Sequence, residues 1–216
     1  MAHARPWSFG EELAHSLTHG VGWALSLAGL VVLVVLTLRG GDPWRVVACT
    51  VYAVTLVLLY GASTLYHALS RTRARHVFQV LDHSAIFLLI AGTYTPFALV
   101  SLRGPWGWAL MAIVWSLAAG GIVLKAVFGP RWPILSTALY IAMGWTVVIA
   151  AKPLLAAVPG AAIVWLAAGG IAYTGGVVFY AWGRLRYSHA VWHLFVLIGS
   201  VCHYIAILRY VALPAA

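Results

Sequence analysis

Long apolar segments separated by short polar intervals run through the whole sequence of 216 residues. A membrane-spanning helix needs about 20 mostly apolar residues, within a range of roughly 17 to 25. Seven segments meet this requirement, and the intervals between them carry turn-forming residues, as in RGGDP and GPRWP. The pattern predicts an all-α bundle of seven transmembrane helices in a single integral membrane domain, with approximate spans 17–38, 46–68, 80–102, 106–128, 134–151, 160–182 and 189–212.

The composition supports a membrane protein and argues against a nucleic-acid-binding one. Hydrophobic residues make up 63% of the chain and charged residues only 8%, with a mean hydropathy of +0.97. Soluble proteins average about 25% charged residues. The net charge of +9 is carried by Lys and Arg that lie singly or in short groups between apolar segments. Basic residues arranged in this way contact anionic lipid headgroups, so we expect membrane lipids as partners and no nucleic acid.

The distribution of Lys and Arg also predicts the orientation, because cytoplasmic loops carry an excess of both. With a cytoplasmic N-terminus, eight basic residues lie inside and five outside, and most of the bias comes from SRTRAR and GRLR. The prediction is therefore a cytoplasmic N-terminus and an external C-terminus. The eight residues counted as inside are Arg5, Arg71, Arg73, Arg75, Lys125, Arg131, Arg184 and Arg186.

A polar segment precedes the first span. SFGE at residues 8–11 has the spacing of a capping box, with Ser8 as the N-cap and Glu11 three residues later. Apolar residues then recur every four residues, which predicts a short N-terminal interfacial helix, with a simple extension of the first span as the alternative. We expect the ionisable residues here to be solvated at the membrane surface, with a polar cluster or an entrance as the alternative; they are Glu11, Glu12, His15 and His19.

Asp82 is the one carboxylate within the seven predicted spans. A charged residue at the centre of a spanning helix costs roughly 2.5–3.5 kcal/mol on insertion scales. Ionisable residues in such positions usually mark a functional site. Because Asp82 lies near the start of the third span, a solvated carboxylate at the membrane surface is the alternative interpretation.

Three histidines are predicted to lie at the same depth as Asp82. His67 ends the second span, and His189 and His193 begin the seventh, one helical turn apart on one face. The end of the second span and the starts of the third and seventh lie on the same side of the membrane. Catalytic Zn²⁺ takes three protein ligands and leaves a fourth position open. The pattern therefore predicts a zinc site, unless these histidines only reach toward lipid headgroups.

HAVWH at residues 189–193 has the histidine spacing of the zinc-protease motif HExxH, but Ala190 replaces its glutamate. Asp82 would supply the missing carboxylate from the third helix, by contacting water on the metal or by orienting a ligand. Ser63, one turn before His67, would stabilise a developing oxyanion or hold a ligand. His203 lies too deep to share this site and is predicted to make a structural hydrogen bond. His83 has either a supporting role or none.

Four segments together resemble the signature segments of the bacterial hemolysin III family: EELAHSLTHGVG, STLYHAL, LDHSAIFLLIAGTYTPFAL and HAVWHLFVLIGSVCHYIAI. That family belongs to the progestin and adipoQ receptor group, in a superfamily that includes the alkaline ceramidases. The resemblance implies a seven-helix protein of the bacterial inner membrane with a cytoplasmic N-terminus. It also implies a zinc ion held by His67, His189 and His193, with Ser63 and Asp82 beside it. His15 departs from the family pattern, in which Asn often takes that place.

The resemblance leaves three functions open. The first is a zinc-dependent hydrolase that cleaves an amide or ester bond of a membrane lipid and serves lipid homeostasis. The second is a non-enzymatic membrane sensor or receptor-like regulator in which zinc is structural. The third is a pore-forming cytolysin, which is disfavoured because no span carries a charged stripe. We expect the first, with a lipid or fatty-acid ligand inside the bundle.

Overall fold

The computed structural model describes residues 6–213, and this part of the chain contains helices and turns but no strand. Arg5 lies outside the described residues. Seven helices are long and apolar enough to cross a membrane, which confirms the predicted all-α bundle. They are α1 (Phe9–Gly40), α2 (Pro43–Ala68), α3 (Arg75–Ser101), α4 (Pro105–Phe128), α5 (Pro133–Ala157), α6 (Gly160–Ala181) and α7 (Ser188–Ala212).

The helices begin and end at the turn residues that the sequence indicates. α1 is capped at its C-terminal end by Gly41, whose φ of 72° lies in the left-handed region that favours glycine. α2 begins at Pro43, directly after Asp42, whose side chain accepts a backbone hydrogen bond as the N-cap. Pro105 and Pro133 likewise occupy the first positions of α4 and α5. The short loops hold successive helices antiparallel, which fixes the depth of every side chain discussed below.

The predicted interfacial helix is wrong, and the alternative, an extension of the first span, is right. α1 is unbroken over Phe9–Gly40, and the predicted capping box is present between Ser8 and Glu11. Glu11, Glu12 and His15 are buried rather than solvated. The reason is that this end of α1 packs against α2 and α7 instead of lying on the membrane surface. Asp82 is therefore not the one acidic residue within the spanning helices.

The seven helices surround an internal cavity. α1 packs on α2 and α7, α2 on α3, α3 on α4 and α5, and α6 on α7. The cavity has a volume of about 380 Å³ and walls that are mostly apolar, including Leu59, Ile90 and Phe97. Ligand sites in proteins usually measure about 300–1,000 Å³. Ionisable side chains line the end of the cavity at which α3 and α7 begin, among them Asp82 and His189.

Lys125 lies inside this bundle rather than at a cytoplasmic surface. It belongs to α4, is 1% exposed and lines the cavity. A lysine inside the bundle does not belong to a cytoplasmic loop, so the prediction that placed Lys125 among the basic residues on the cytoplasmic side was wrong. The predicted cytoplasmic N-terminus then depends on the arginines of the α2–α3 and α6–α7 loops, and it stays a prediction.

Candidate metal centre

Two helices bring three histidines together at the polar end of the cavity. His67 lies in the last turn of α2, and His189 and His193 lie in the first two turns of α7. One ring nitrogen from each lies within 4.8 Å of the others, and all three residues are buried. Converging imidazoles of this kind are a donor set for a transition metal. The structure therefore brings together the three histidines that the sequence singles out.

Hydrogen bonds to the second ring nitrogen orient two of these histidines. His67 Nδ1 lies 2.8 Å from Oε2 of Glu12, and His193 Nδ1 lies 3.2 Å from the backbone carbonyl oxygen of His15. Both partners are acceptors, so Nδ1 is the protonated nitrogen in each ring and Nε2 keeps its lone pair. An acceptor behind the ring that fixes the tautomer in this way is typical of metal-ligating histidines.

A second group of potential ligands overlaps the first. Glu12, His15 and His67 also place one ligand atom each within 4.8 Å of the others, and all three are buried. Glu12 contacts Arg75 through its other oxygen, at 3.3 Å from Nη2. Because both groups share His67, the distances alone allow Glu12 either to ligate an ion or to hold His67 in place. The 2.8 Å contact is a hydrogen-bond distance, which favours the second role.

His15 and His19 are buried in the bundle, so the expectation that they are solvated at the surface is wrong and the polar-cluster alternative is right. The His15 ring centroid lies 4.7 Å from that of His67 and 4.8 Å from that of His189. The His19 ring stacks on His193 with centroids 3.5 Å apart. Five histidines thus form one cluster. The prediction failed because it assigned this part of α1 to the membrane surface.

Ser63 and Asp82 lie beside this cluster, at the wall of the cavity. Both line the cavity together with His189 and His193. Ser63 Oγ lies 2.7 Å from His19 Nδ1, and the Ser63 hydroxyl also lies near the Asp82 carboxylate. Polar side chains from α1, α2 and α3 therefore lie together next to the three histidines. The sequence indicates Ser63 and Asp82 as a pair, whereas His19 as their partner was missed.

Trp7 is a further member of the site that the sequence analysis missed. Its ring centroid lies 4.9 Å from that of His15, 5.3 Å from that of His67 and 4.8 Å from that of His189. The indole therefore covers the histidine cluster on the side away from the cavity. No local signal reveals this role, since a tryptophan just before an amphipathic helix is typical of a membrane interface.

His203 lies deeper in the bundle, as its position in the sequence predicts. His203 Nδ1 donates to the backbone carbonyl of Gly199 at 2.9 Å, which confirms the structural hydrogen bond. It lines the cavity about 15 Å deeper than His193, given ten residues at 1.5 Å each. His83 also lines the cavity, and its backbone carbonyl accepts a hydrogen bond from the Tyr140 hydroxyl at 2.8 Å.

Comparison with known proteins gives one consistent result. Residues 7–204 match the family model described as haemolysin-III related. The chain is 48% identical over 206 residues to "Hemolysin-3" of Bacillus cereus, covering 95% of this chain and 94% of that protein. It is 46% identical over 200 residues to the "Hemolysin-3 homolog" of Bacillus subtilis (strain 168), with coverages of 93% and 94%.

A more distant likeness extends to eukaryotes. The chain is 30% identical over 190 residues to the "Heptahelical transmembrane protein ADIPOR2" of Oryza sativa subsp. japonica, covering 78% of this chain and 82% of that protein. The seven spanning helices and the bacterial relatives identify a multi-pass protein of the bacterial inner membrane.

Proposed function

Because the chain belongs to the haemolysin-III-related family, within the progestin and adipoQ receptor group, we propose that it is a zinc-dependent hydrolase. Its substrate would be a membrane lipid with an amide or ester bond, and its role would be in membrane lipid homeostasis. The observation that carries the proposal is the position of Asp82 and Ser63 beside three buried histidines, at the polar end of a cavity with apolar walls.

The donor set fits Zn²⁺ at a catalytic centre. His67, His189 and His193 offer three imidazole nitrogens, and catalytic zinc sites combine three protein ligands with one open position. Glu12 and the His15 carbonyl hold two of the rings in the required tautomer. A bound Zn²⁺ would supply a Lewis acid for the scissile carbonyl and would activate water at neutral pH.

The chain's own residues would position the substrate and move its protons. The apolar walls would hold the acyl chain and exclude bulk water, so that the scissile bond lies between the histidines and Asp82. Asp82 would accept a proton from the attacking water and return it to the leaving amine or alcohol. His19 Nδ1–H would donate to Ser63 Oγ, and the Ser63 hydroxyl would turn from the Asp82 carboxylate to the oxygen that gains charge.

The test is a turnover assay with purified protein and a panel of lipid amides and esters. Loss of a general base typically costs about 10²–10⁴-fold in rate. We therefore expect Asp82→Asn to lose activity by that factor while it keeps its metal. Asp42→Asn makes the same chemical change at the N-cap of α2 and should leave turnover unchanged. Wild-type turnover no higher than that of metal-depleted protein would refute the hydrolase.

A structural metal in a non-enzymatic regulator is the second candidate. It is favoured by the placement of the three histidines on two helices, since a metal held by His67, His189 and His193 would cross-link α2 and α7. In that case Asp82→Asn would keep the cellular lipid phenotype, whereas His189→Ala would lower the melting temperature. Loss of the phenotype in stably folded Asp82→Asn would exclude a purely structural metal. A pore, which the name of the Bacillus relatives suggests, has less support, because the cavity walls are mostly apolar.

A further inference from the structure

Lys125 is a lysine inside the bundle that has no counter-ion among residues 6–213. Its residue surface is 1% exposed, and it lines the internal cavity. No described side chain forms a hydrogen bond or an ion pair with its ammonium group. Asp82, the acidic residue in the same cavity wall, interacts with Ser63 instead.

The packing of α4 against α3 fixes the depth of Lys125. Gly121 of α4 lies directly against the ring of Phe87 in α3. The two helices are antiparallel, and Lys125 is one turn after Gly121 while His83 is one turn before Phe87. Lys125 and His83 therefore lie at the same depth in the bundle, and His83 directly follows Asp82 in the sequence. The ammonium group belongs to the polar end of the cavity but lies on a helix that supplies none of the clustered histidines.

A buried ammonium without a partner is costly, because it loses its hydration and gains no compensating charge. The remainder of the cavity is mostly apolar and long. Asp82 of α3 and Leu102, the residue directly after α3, line it at its two ends. Twenty residues of helix at 1.5 Å each span about 30 Å, close to the hydrocarbon thickness of a bilayer. The cavity therefore combines one cationic group with a channel long enough for an acyl chain.

We propose that this cavity binds an anionic amphiphile, with a carboxylate or phosphate paired with Lys125 and an apolar chain directed along α3. A fatty acid and a phosphate-bearing lysolipid share this chemistry. The inference narrows the lipid of the proposed hydrolase to one with a negative charge near its polar end, and in that respect it rests on the proposed function. Binding itself needs no turnover and can be measured separately.

The experiment compares three single-chain ligands of equal chain length on purified protein in detergent: hexadecanoate, a palmitoyl lysophosphatidate and the neutral hexadecanol. The variants are Lys125→Met, which keeps the length of the side chain without its charge, and Lys152→Met, which makes the same change at an exposed lysine outside the cavity. A hydrogen-bonded charge pair changes affinity by about 10- to 100-fold. Wild type and Lys152→Met should bind at least one anion more tightly than hexadecanol by that factor. Lys125→Met should lose the difference and bind hexadecanol as before.

Equal affinity of wild type for all three ligands would overturn the proposal. This comparison uses wild-type protein alone, so it does not depend on whether a variant folds. An anion preference that survives in Lys125→Met would overturn it as well. Preference for the carboxylate or for the phosphate identifies which of the two occupies the site. Charge-selective binding without hydrolysis would support the anion site and refute the hydrolase. Hydrolysis of neutral lipid amides without charge-selective binding would support the hydrolase and refute the anion site.

Discussion

Glu12 should control the metal affinity of the histidine cluster without being a metal ligand itself. It accepts a hydrogen bond from His67 Nδ1 at 2.8 Å, and both side chains are shielded, with exposures of 11% and 0%. The perturbation is Glu12→Gln, which keeps the shape and an acceptor oxygen but removes the charge. Glu11→Gln makes the same change one residue earlier. Its carboxylate accepts hydrogen bonds from Ser8 and from the backbone N–H of Tyr187, so it serves as the matched control.

The magnitude follows from the kind of hydrogen bond that is lost. A bond to a charged acceptor contributes about 1.5–3 kcal/mol and a neutral one about 0.5–1.5 kcal/mol. The substitution should therefore weaken metal binding by about 1 to 1.5 kcal/mol, or about 5- to 10-fold in Kd. Glu12→Ala removes the acceptor altogether and should approach the upper end of the loss of about 10- to 100-fold that is typical of such outer partners. Arg75, whose side chain is 43% exposed, should contribute less than about 1 kcal/mol through its contact with Glu12.

The assay is competition for Zn²⁺ between purified protein and a chromophoric chelator, combined with metal content at saturating Zn²⁺. We expect Glu12→Gln to have a higher Kd and an unchanged content of one metal per chain. An unchanged Kd would refute the orienting role of Glu12. Loss of the metal even at saturation would show that Glu12 is a ligand, in the group that it forms with His15 and His67.

Three further outcomes are expected. His193→Ala should lose about one metal per chain by elemental analysis, and an unchanged content would exclude this histidine as a ligand. Gly22→Ala should lower the melting temperature in detergent, because a Cβ there would lie 2.6 Å from the Tyr60 ring and overpacking costs typically about 1–3 kcal/mol. Gly40→Ala is the control and should leave the melting temperature unchanged, since a Cβ there would meet nothing within 4 Å. Equal melting temperatures of the two variants would contradict this packing. Tyr60→Phe removes a buried hydrogen bond of 2.8 Å to Ser200 and should lower the free energy of unfolding by about 1 kcal/mol. The measurement is reversible unfolding in mixed micelles, and an unchanged free energy of unfolding would show that this bond is energetically neutral.

The sequence by itself determined the architecture, because in a bilayer every backbone polar group must be satisfied within the segment that crosses it. Apolar length and turn residues then suffice to predict seven helices and most of their bounds. Helical spacing and the antiparallel order also predict that His67, His189 and His193 lie at one depth. No long-range packing detail enters either inference, which is why both agree with the structure.

Only the tertiary structure decided which side chains face inward at the ends of the helices. Glu12 and His15 precede the predicted first span and His19 lies at its start, and their burial depends on α1 packing between α2 and α7. Lys125 lies one turn from the end of its helix, where a lysine can as well extend to the membrane surface as turn into a cavity. The depth of a side chain in the membrane follows from counting residues along its helix. Whether that side chain points into the bundle or toward the lipid depends on neighbouring helices that are distant in the sequence.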